Sequence, residues 1–557
     1  MVLASFAEMV SIGAALPFLG VLTAPERIFE HQLMQPLIRA LELTEASQIV
    51  LPLTLVFVFV ALVSGVIRLT LLYVMIRLSF ATGADFSIDI YRRTLYQEYS
   101  IHVSRNSSEV INGIINKTNI VIHSVIAPVL SLISSIILLI GVMVALLTID
   151  FAMAATAFIS FGFIYWVILR FTRQHLAENS QCVANESSQM IKSLQEGLGG
   201  IRDVLVDGTQ EYYCKIYRNA DIPLRRAQGN NRFISASPRY ALEVLGITLI
   251  SGLAYMMTQR DGGVIAAIPL LGALALGAQR LLPALQLAYA SLSTIKGSKV
   301  SLVDVLDLLD QPMPVAPKES LAGSIKFQQH INLNNLSFRY APSTPWILQN
   351  INYTLKKGSR IGFMGVTGSG KSTMIDILMG LLAPTEGTLE VDGQLINTEN
   401  RRAWQSHIAH VPQNIYLSDS SIAENIAFGL PQEKINFHRV QQAAQQAQIG
   451  DLIESWPEKY STFVGERGIR LSGGQRQRIG IARALYKQAD VIIFDEATSA
   501  LDNETEQAVM NSIESLGNEL TIIIIAHRLT TLKECDHIVE VGNNHILRIG
   551  KYDELIK

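Results

Sequence analysis

Apolar runs of about 20 residues recur through the first half of the chain, each long enough to cross the ~30 Å hydrocarbon core of a bilayer. The first run carries Glu8 and lacks a basic start, so we expect it to be a membrane span rather than a cleaved signal. The sequence therefore predicts a helical membrane domain with six spans. We place them at residues 1–23, 49–77, 119–148, 151–171, 238–259 and 263–290.

The basic residues give this domain an orientation. Lys and Arg gather in the connections 78–118 and 172–237, whereas the loop 24–48 carries four Glu and two Arg. Because basic loops stay on the cytoplasmic side, we expect both connections and the C-terminal half in the cytoplasm. We expect each connection to extend its membrane helices as an antiparallel pair, turning near Arg105–Thr118 and near Gly199–Tyr213.

Composition excludes several classes of protein. Charged residues make up 17% of the chain against about 25% in typical soluble domains. With a net charge of −3, the chain is neither disordered nor a strong nucleic-acid binder. Its three cysteines are too few and scattered for a disulfide framework or a zinc cluster. We predict a membrane domain at 1–310, a linker at 311–323 and an α/β domain at 324–557.

A glycine-rich loop follows a predicted buried strand, RIGFMG, at the start of the α/β domain. It matches the phosphate-binding pattern G-x-x-x-x-G-K-[ST] in a strand–loop–helix setting. Its glycines allow backbone N–H groups to surround phosphates, and the following helix N-terminus attracts anions. Lys371 is expected at the β- and γ-phosphates and Ser372 at Mg²⁺. The nucleotide-binding positions are Gly365, Val366, Thr367, Gly368, Ser369, Gly370, Lys371, Ser372 and Thr373.

A second predicted buried strand, VIIFDE, ends in two carboxylates. Asp495 suits Mg²⁺, directly or through water. Glu496 is one residue further on and suits a general base that polarises an attacking water. A phosphate loop and this carboxylate pair together predict nucleotide hydrolysis.

Between these two motifs stands LSGGQRQR, and here the sequence resembles the ATP-binding cassette (ABC) family. The resemblance implies that Tyr340 stacks on adenine. It implies that Gln413 contacts Mg²⁺, the γ-phosphate and the attacking water, and that His527 contacts the γ-phosphate. It further implies that ATP lies between two cassettes, the signature of one completing the site of the other. The signature residues are Ser472, Gly473, Gly474 and Gln475.

Six spans followed by one cassette resemble the half-transporter exporters, in which a polytopic α-helical membrane domain is fused to an α/β P-loop nucleotide-binding domain. Because the resemblance implies that ATP lies between two cassettes, a chain with one cassette must pair with a second chain. A homodimer is the simplest such pair. The two cytoplasmic turns would then be coupling helices. Three segments, at 6–19, 237–246 and 278–285, resemble the branch that contains the bacterial lipid-linked oligosaccharide flippase.

Three arginines lie in or at the edge of apolar runs, where a charge is costly. Arg68, Arg239 and Arg280 are predicted near one depth, toward the inner leaflet. In one interpretation they pair with carboxylates such as Glu8 and Glu243 or reach the interface. In the other interpretation, a dimer places six arginine cations around one cavity. These cations would suit a pyrophosphate group, as the flippase resemblance implies.

The sequence thus favours ATP-driven flipping of a lipid-linked oligosaccharide, or a similar anionic lipid, across the bacterial inner membrane. A multidrug or lipid exporter of the same architecture is the first alternative. An ATP-gated channel or regulator is another. A peptide exporter is disfavoured because no Cys/His peptidase domain precedes the spans. The implied cofactors are ATP and Mg²⁺, and the implied partners are a second copy of the chain, membrane lipids and the glycan lipid.

Overall fold

Two compact units make up the chain in the computed structural model. The described residues are 1–23, 25–30, 34–40, 43–149, 151–258, 281–313, 325–497, 501–514, 519–526 and 529–555. The membrane unit comprises Met1–Gln97 and Ser104–Pro314, and the cassette unit comprises Glu98–Val103 and Val315–Lys557. The short piece Glu98–Val103 therefore belongs to the cassette although membrane-unit residues flank it on both sides.

The membrane unit is helical, as its apolar runs predict. Its longer helices are Val2–Thr23, Val50–Leu95, Ala127–Ile149, Phe151–Gly199, Gln210–Ala236, Pro238–Thr258, 281–296 and Lys299–Leu309. Its shorter helices are Pro25–Phe29, Gln35–Ala40, Ala46–Ile49, Ser107–Asn112, Thr118–Val121 and Ile201–Val206, with π-helical turns at Gly113–Lys117 and Ile122–Ile126. Tyr99–Ser104 forms a further short helix. The first five predicted spans coincide with helices, and most of the sixth lies outside the described residues.

Two of these helices exceed the thickness of a bilayer. Val50–Leu95 has 46 residues and Phe151–Gly199 has 49, so at ~1.5 Å per residue each is about 70 Å long. Each therefore continues well beyond its apolar part, as expected for cytoplasmic extensions. Judged by length and hydropathy alone, two helical stretches within the described residues qualify as spans, Ala46–Leu95 and Ser107–Val144.

Of the two cytoplasmic turns predicted from sequence, the structure confirms the second and places the first elsewhere. The second is confirmed, because the chain reverses around the short helix Ile201–Val206 between two long helices. The first is misplaced. The non-helical residues between Leu95 and Ser107 are 96–98 and 105–106, on either side of the short helix Tyr99–Ser104, and most of Arg105–Thr118 is helical. Asn106 explains this locally, since its side chain accepts a hydrogen bond from the Ser108 N–H and so begins the next helix.

The cassette is built on two sheets. Its strands are β1 His330–Phe338, β2 Leu348–Lys356, β3 Arg360–Met364, β4 Glu386–Val391, β5 Gln394–Leu395, β6 Ile408–Val411, β7 Val491–Asp495, β8 Thr521–Ile525, β9 His537–Gly542 and β10 His545–Gly550. Its helices are Lys371–Leu378, Arg401–Ser406, Ile422–Ile426, Gln432–Lys434, Phe437–Gln446, Gly450–Glu454, Lys459–Ser461, Glu466–Gly468, Gly473–Lys487, Asn503–Glu514, Leu529–Leu532 and Tyr552–Leu555.

The larger sheet positions the site. Its order is β10-β9-β3-β8-β7-β6, and the five strands from β9 to β6 run parallel. β3, β7 and β8 are almost wholly buried, which explains their continuous apolar sequences. The smaller, antiparallel sheet has the order β2-β1-β4-β5. Because parallel strands end at one edge, the loops after β3, β6 and β7 meet there.

Candidate functional site

The glycine-rich loop after β3 has a backbone that other residues could not adopt. At Gly365, φ is +150° and an added Cβ would lie 2.1 Å from the Val541 carbonyl oxygen. At Gly370, φ is +95° and an added Cβ would lie 2.8 Å from Leu348 Cδ2. The glycines are therefore required by backbone conformation and by close approach, as expected for a loop whose N–H groups face a ligand.

Lys371 begins the helix after this loop and folds back over it. Its ammonium donates to the carbonyl oxygens of Gly365, at 2.7 Å, and Val366, at 3.0 Å. Burial lowers the pKa of Lys371, and the nearby Glu496 and Asp495 oppose that change. The buried hydroxyl of Ser369 has no hydrogen-bond partner among the described residues. The loop thus holds a cation and an unpaired hydroxyl, which suit phosphate oxygens.

The two carboxylates lie where β7 ends. Glu496 has φ of +50°, and its N–H donates to the Ile525 carbonyl oxygen at the end of β8. Gln413, after β6, donates through Nε2 to Glu496 Oε2 at 2.6 Å. Burial raises the pKa of Asp495, Glu496 raises it further and Lys371 opposes both. Three neighbouring parallel strands therefore bring a glutamine and two carboxylates to one edge.

These oxygen groups fit a magnesium ion. Mg²⁺ prefers carboxylate, carbonyl and hydroxyl oxygens and completes its shell with water and substrate phosphates. Asp495 is partly buried beside another carboxylate, an arrangement that a bound cation would stabilise. Ser372 and Gln413, the other sequence-predicted ligands, are both exposed.

Tyr340 lies beyond the end of β1 and is half exposed, with its ring edge-to-face against Phe338 at 5.1 Å. The same loop carries a contact that the sequence did not indicate, because the Arg339 guanidinium stacks over Trp346 at 4.5 Å. The Ile347 carbonyl oxygen would lie 3.0 Å from a Cβ at Gly370. The loop from Tyr340 to Ile347 therefore borders the phosphate loop, which suits a base-stacking tyrosine.

The signature caps its own helix. Ser472 is the N-cap of Gly473–Lys487, and its hydroxyl accepts from the Gln475 N–H while Gln475 Oε1 accepts from the Ser472 N–H. Within the described residues, no hydrogen bond joins Ser472, Gly473, Gly474 or Gln475 to the phosphate loop of the same chain. His527, like Arg280, lies outside the described residues.

Two residues of the cassette escaped the sequence analysis. Asp376 follows Lys371 by five positions and is the one polar residue in the stretch Met374–Leu378, which was the available signal. Burial raises its pKa to about 6, and Asp495 adds to the effect.

Glu98, in the upstream piece of the cassette unit, pairs with Arg401 at 3.4 Å, a contact between residues 303 positions apart.

The two membrane arginines within the described residues each have a carboxylate partner. Arg68 NH1 lies 2.9 Å from Glu8 Oε1, and the Glu8 side chain is only 8% exposed. Arg239 Nε lies 2.7 Å from Glu243 Oε1, and both of these side chains are largely exposed. These pairings agree with the first interpretation of the arginines.

Sequence profiles of known families match both units. The family described as "ABC transporter transmembrane region" matches residues 3–237, and that described as "ABC transporter" matches residues 348–499. The chain belongs to the ABC transporter family. It consists of an exporter-type membrane domain fused to an ATP-hydrolysing cassette. The protein is therefore membrane-embedded, with its ATPase domain in the cytoplasm.

Relatives and a solved structure agree with this family. A protein of Burkholderia orbicola named "ATP-dependent lipid A-core flippase" is 28% identical over 89% of this chain and 83% of its own length. One of the same name from Alkalilimnicola ehrlichii is 31% identical over 68% of this chain and 64% of its own. A bacterial Atm1-family ABC exporter with ATP bound has the same fold, with a TM-score of 0.80 at 24% identity over 99% of this chain and 96% of that one.

Proposed function

We propose that this ABC transporter is a homodimeric flippase of the bacterial inner membrane that uses Mg²⁺ and ATP to move a lipid-linked oligosaccharide or a similar anionic glycolipid. One observation carries the proposal. A lysine, two carboxylates and a glutamine meet at one sheet edge in a chain whose other half is an exporter membrane domain. The relatives named lipid A-core flippases support a lipid substrate.

In this proposal, the phosphate loop and Lys371 hold the ATP phosphates and Tyr340 holds adenine. Glu496 accepts the proton of the attacking water, while Gln413, already hydrogen-bonded to Glu496, helps to orient that water. Ser372, Asp495 and Gln413 would hold Mg²⁺, which neutralises phosphate charge. His527 is proposed to contact the γ-phosphate.

The signature supports a dimer. Ser472 is exposed, and its hydrogen bonds with Gln475 close within its own helix. Ser472, Gly473, Gly474 and Gln475 are therefore available to complete the ATP site of a second copy. Because every catalytic position is present in this chain, two identical copies would make two competent sites.

The nature of the substrate is open to a direct test against the alternative of an exporter for uncharged amphipathic molecules. The ion pairs of Arg68 and Arg239 favour that alternative, since each arginine is already neutralised. Purified protein would be placed in liposomes with a fluorescent short-chain lipid pyrophosphate bearing a disaccharide. A matched alkyl disaccharide without phosphate serves as the uncharged probe.

We expect Mg²⁺ and ATP to drive flipping of the pyrophosphate lipid, and the Glu496→Gln protein to be inactive. A preference for the uncharged probe would favour the alternative exporter. ATP hydrolysis that is unaffected by either probe, with neither of them moved, would contradict transport of glycolipids altogether.

A further inference from the structure

Glu8 is the one charged residue in the helix Val2–Thr23, and it is buried. A carboxylate within an apolar membrane helix is costly unless a partner offsets its charge. Arg68, on the next long helix, supplies that partner at 2.9 Å. A neutral side chain at position 8 would leave Arg68 without its Glu8 partner, so the acid and the arginine must be explained together.

The ion pair borders a cavity of about 680 Å³ within the membrane unit. Its lining includes the polar residues Ser5, Ser131, Ser134 and Ser135 together with apolar residues such as Leu69 and Leu138. A lining that offers both polar and apolar side chains suits a molecule with a polar headgroup and an apolar chain. All the cavity-lining residues belong to one compact unit.

The two partners are exposed to very different degrees. The Arg68 side chain is 49% exposed and the Glu8 side chain only 8%. A guanidinium has five N–H donors, and Glu8 contacts Arg68 through NH1. Arg68 therefore keeps donors for a ligand in the cavity while Glu8 stays beside it.

From this arrangement we propose that Glu8 is a specificity-determining residue that weakens the hold of Arg68 on an anionic headgroup, so that the headgroup can be released. The inference rests on the proposed function, since it assumes an anionic lipid at Arg68. A bare arginine in a partly buried cavity would bind a phosphate group tightly. A carboxylate beside it repels that phosphate and offsets the arginine's charge, which favours turnover over affinity.

The test is Glu8→Gln, which keeps the size and hydrogen-bonding capacity of the side chain and removes its charge. We expect the Kd for the lipid pyrophosphate to fall by on the order of tenfold or more, since one nearby like charge is lost. Maximal ATP-driven flipping should slow, because release becomes harder. Binding of the uncharged alkyl disaccharide should not change.

Asp221→Asn is the matched control. Asp221 pairs with Arg225 on the helix Gln210–Ala236 and does not line the cavity, so this variant removes one ion-paired carboxylate elsewhere. We expect it to bind both probes as the unaltered protein does. An equal gain in affinity in Asp221→Asn would assign the effect to net charge and overturn the proposal.

A second variant keeps the proposal testable if Glu8→Gln does not fold. Ser131→Asp adds a carboxylate to the cavity wall and should weaken binding of the lipid pyrophosphate. Unchanged or weaker binding by Glu8→Gln, or unchanged binding by Ser131→Asp, would overturn the role of Glu8. Failure of the proposed function looks different, because the unaltered protein would then neither bind nor flip the lipid pyrophosphate.

Discussion

Replacing Asp376 by Asn should stabilise the cassette at neutral pH. The folded protein raises the pKa of this carboxyl from 3.8 to about 6, mainly by burial and also through Asp495. Between these values the folded state binds more protons than the unfolded state, so stability falls as pH rises. Above pH 6 the ionised carboxylate carries the whole penalty. An asparagine carries none.

The magnitude follows from the separation of the two pKa values. A difference of about two between the folded and unfolded pKa values corresponds to about 3 kcal/mol of unfolding free energy, if solvent does not screen the charge. Asp376 is only partly buried, however, so solvent screens its charge, and we expect a gain of about 1 kcal/mol. For a domain of this size, that gain raises the Tm by ~2–4 °C. The stabilisation by Asp376→Asn should shrink to roughly half of its neutral-pH value by pH 5.

Intrinsic tryptophan fluorescence of the full chain in detergent, without nucleotide or Mg²⁺, measures this shift. Asp392→Asn is the matched control, because hydrogen bonds from the Gln328, Gln329 and His330 N–H groups lower the pKa of Asp392 although burial opposes them. That variant should lose stability at neutral pH. A destabilising Asp376→Asn, or a gain that is the same at pH 5 and 7.5, would refute the reasoning.

Three further predictions concern the cassette. Glu496→Gln should bind ATP but hydrolyse it on the order of 10²–10⁴-fold more slowly, and near-normal hydrolysis would reject Glu496 as the base. Lys371→Ala should weaken ATP binding and abolish hydrolysis, yet mixing it with Ser472→Arg chains should restore part of the ATPase rate, because each mixed dimer keeps one intact site. Trp404→Phe should lower the free energy of unfolding by about 1–3 kcal/mol, because the Leu378 carbonyl loses a donor at 2.7 Å, and an unchanged denaturation midpoint would contradict this.

The grouping of residues at the candidate ATP site could be predicted from sequence because it depends on short motifs. A strand followed by Gly365–Ser372 fixes the phosphate loop, and the apolar strand before Asp495 fixes the carboxylates. Their convergence follows from the parallel sheet, which such strands favour. The sequence also indicated that Glu8 was a candidate partner for Arg68, since an isolated acid in an apolar run needs one.

The contacts that escaped prediction join residues far apart in sequence. Nothing near Glu98 indicates that Arg401 is its partner, and the pKa of Asp376 depends on burial by the assembled cassette. The two π-helical turns likewise have no local sequence signal that we recognise. The first cytoplasmic turn was misplaced for a related reason, because a capping Asn106 decided where the next helix begins.

The cassette unit includes Glu98–Val103, and this has a consequence for synthesis on the ribosome. Arg401 leaves the ribosome 303 residues after Glu98, which at ~5–20 residues per second means a delay of about 15–60 s. Throughout that time the upstream piece has no cassette to join. A fragment that begins at residue 325 would therefore lack the six residues Glu98–Val103 and with them the ion pair of Glu98 with Arg401.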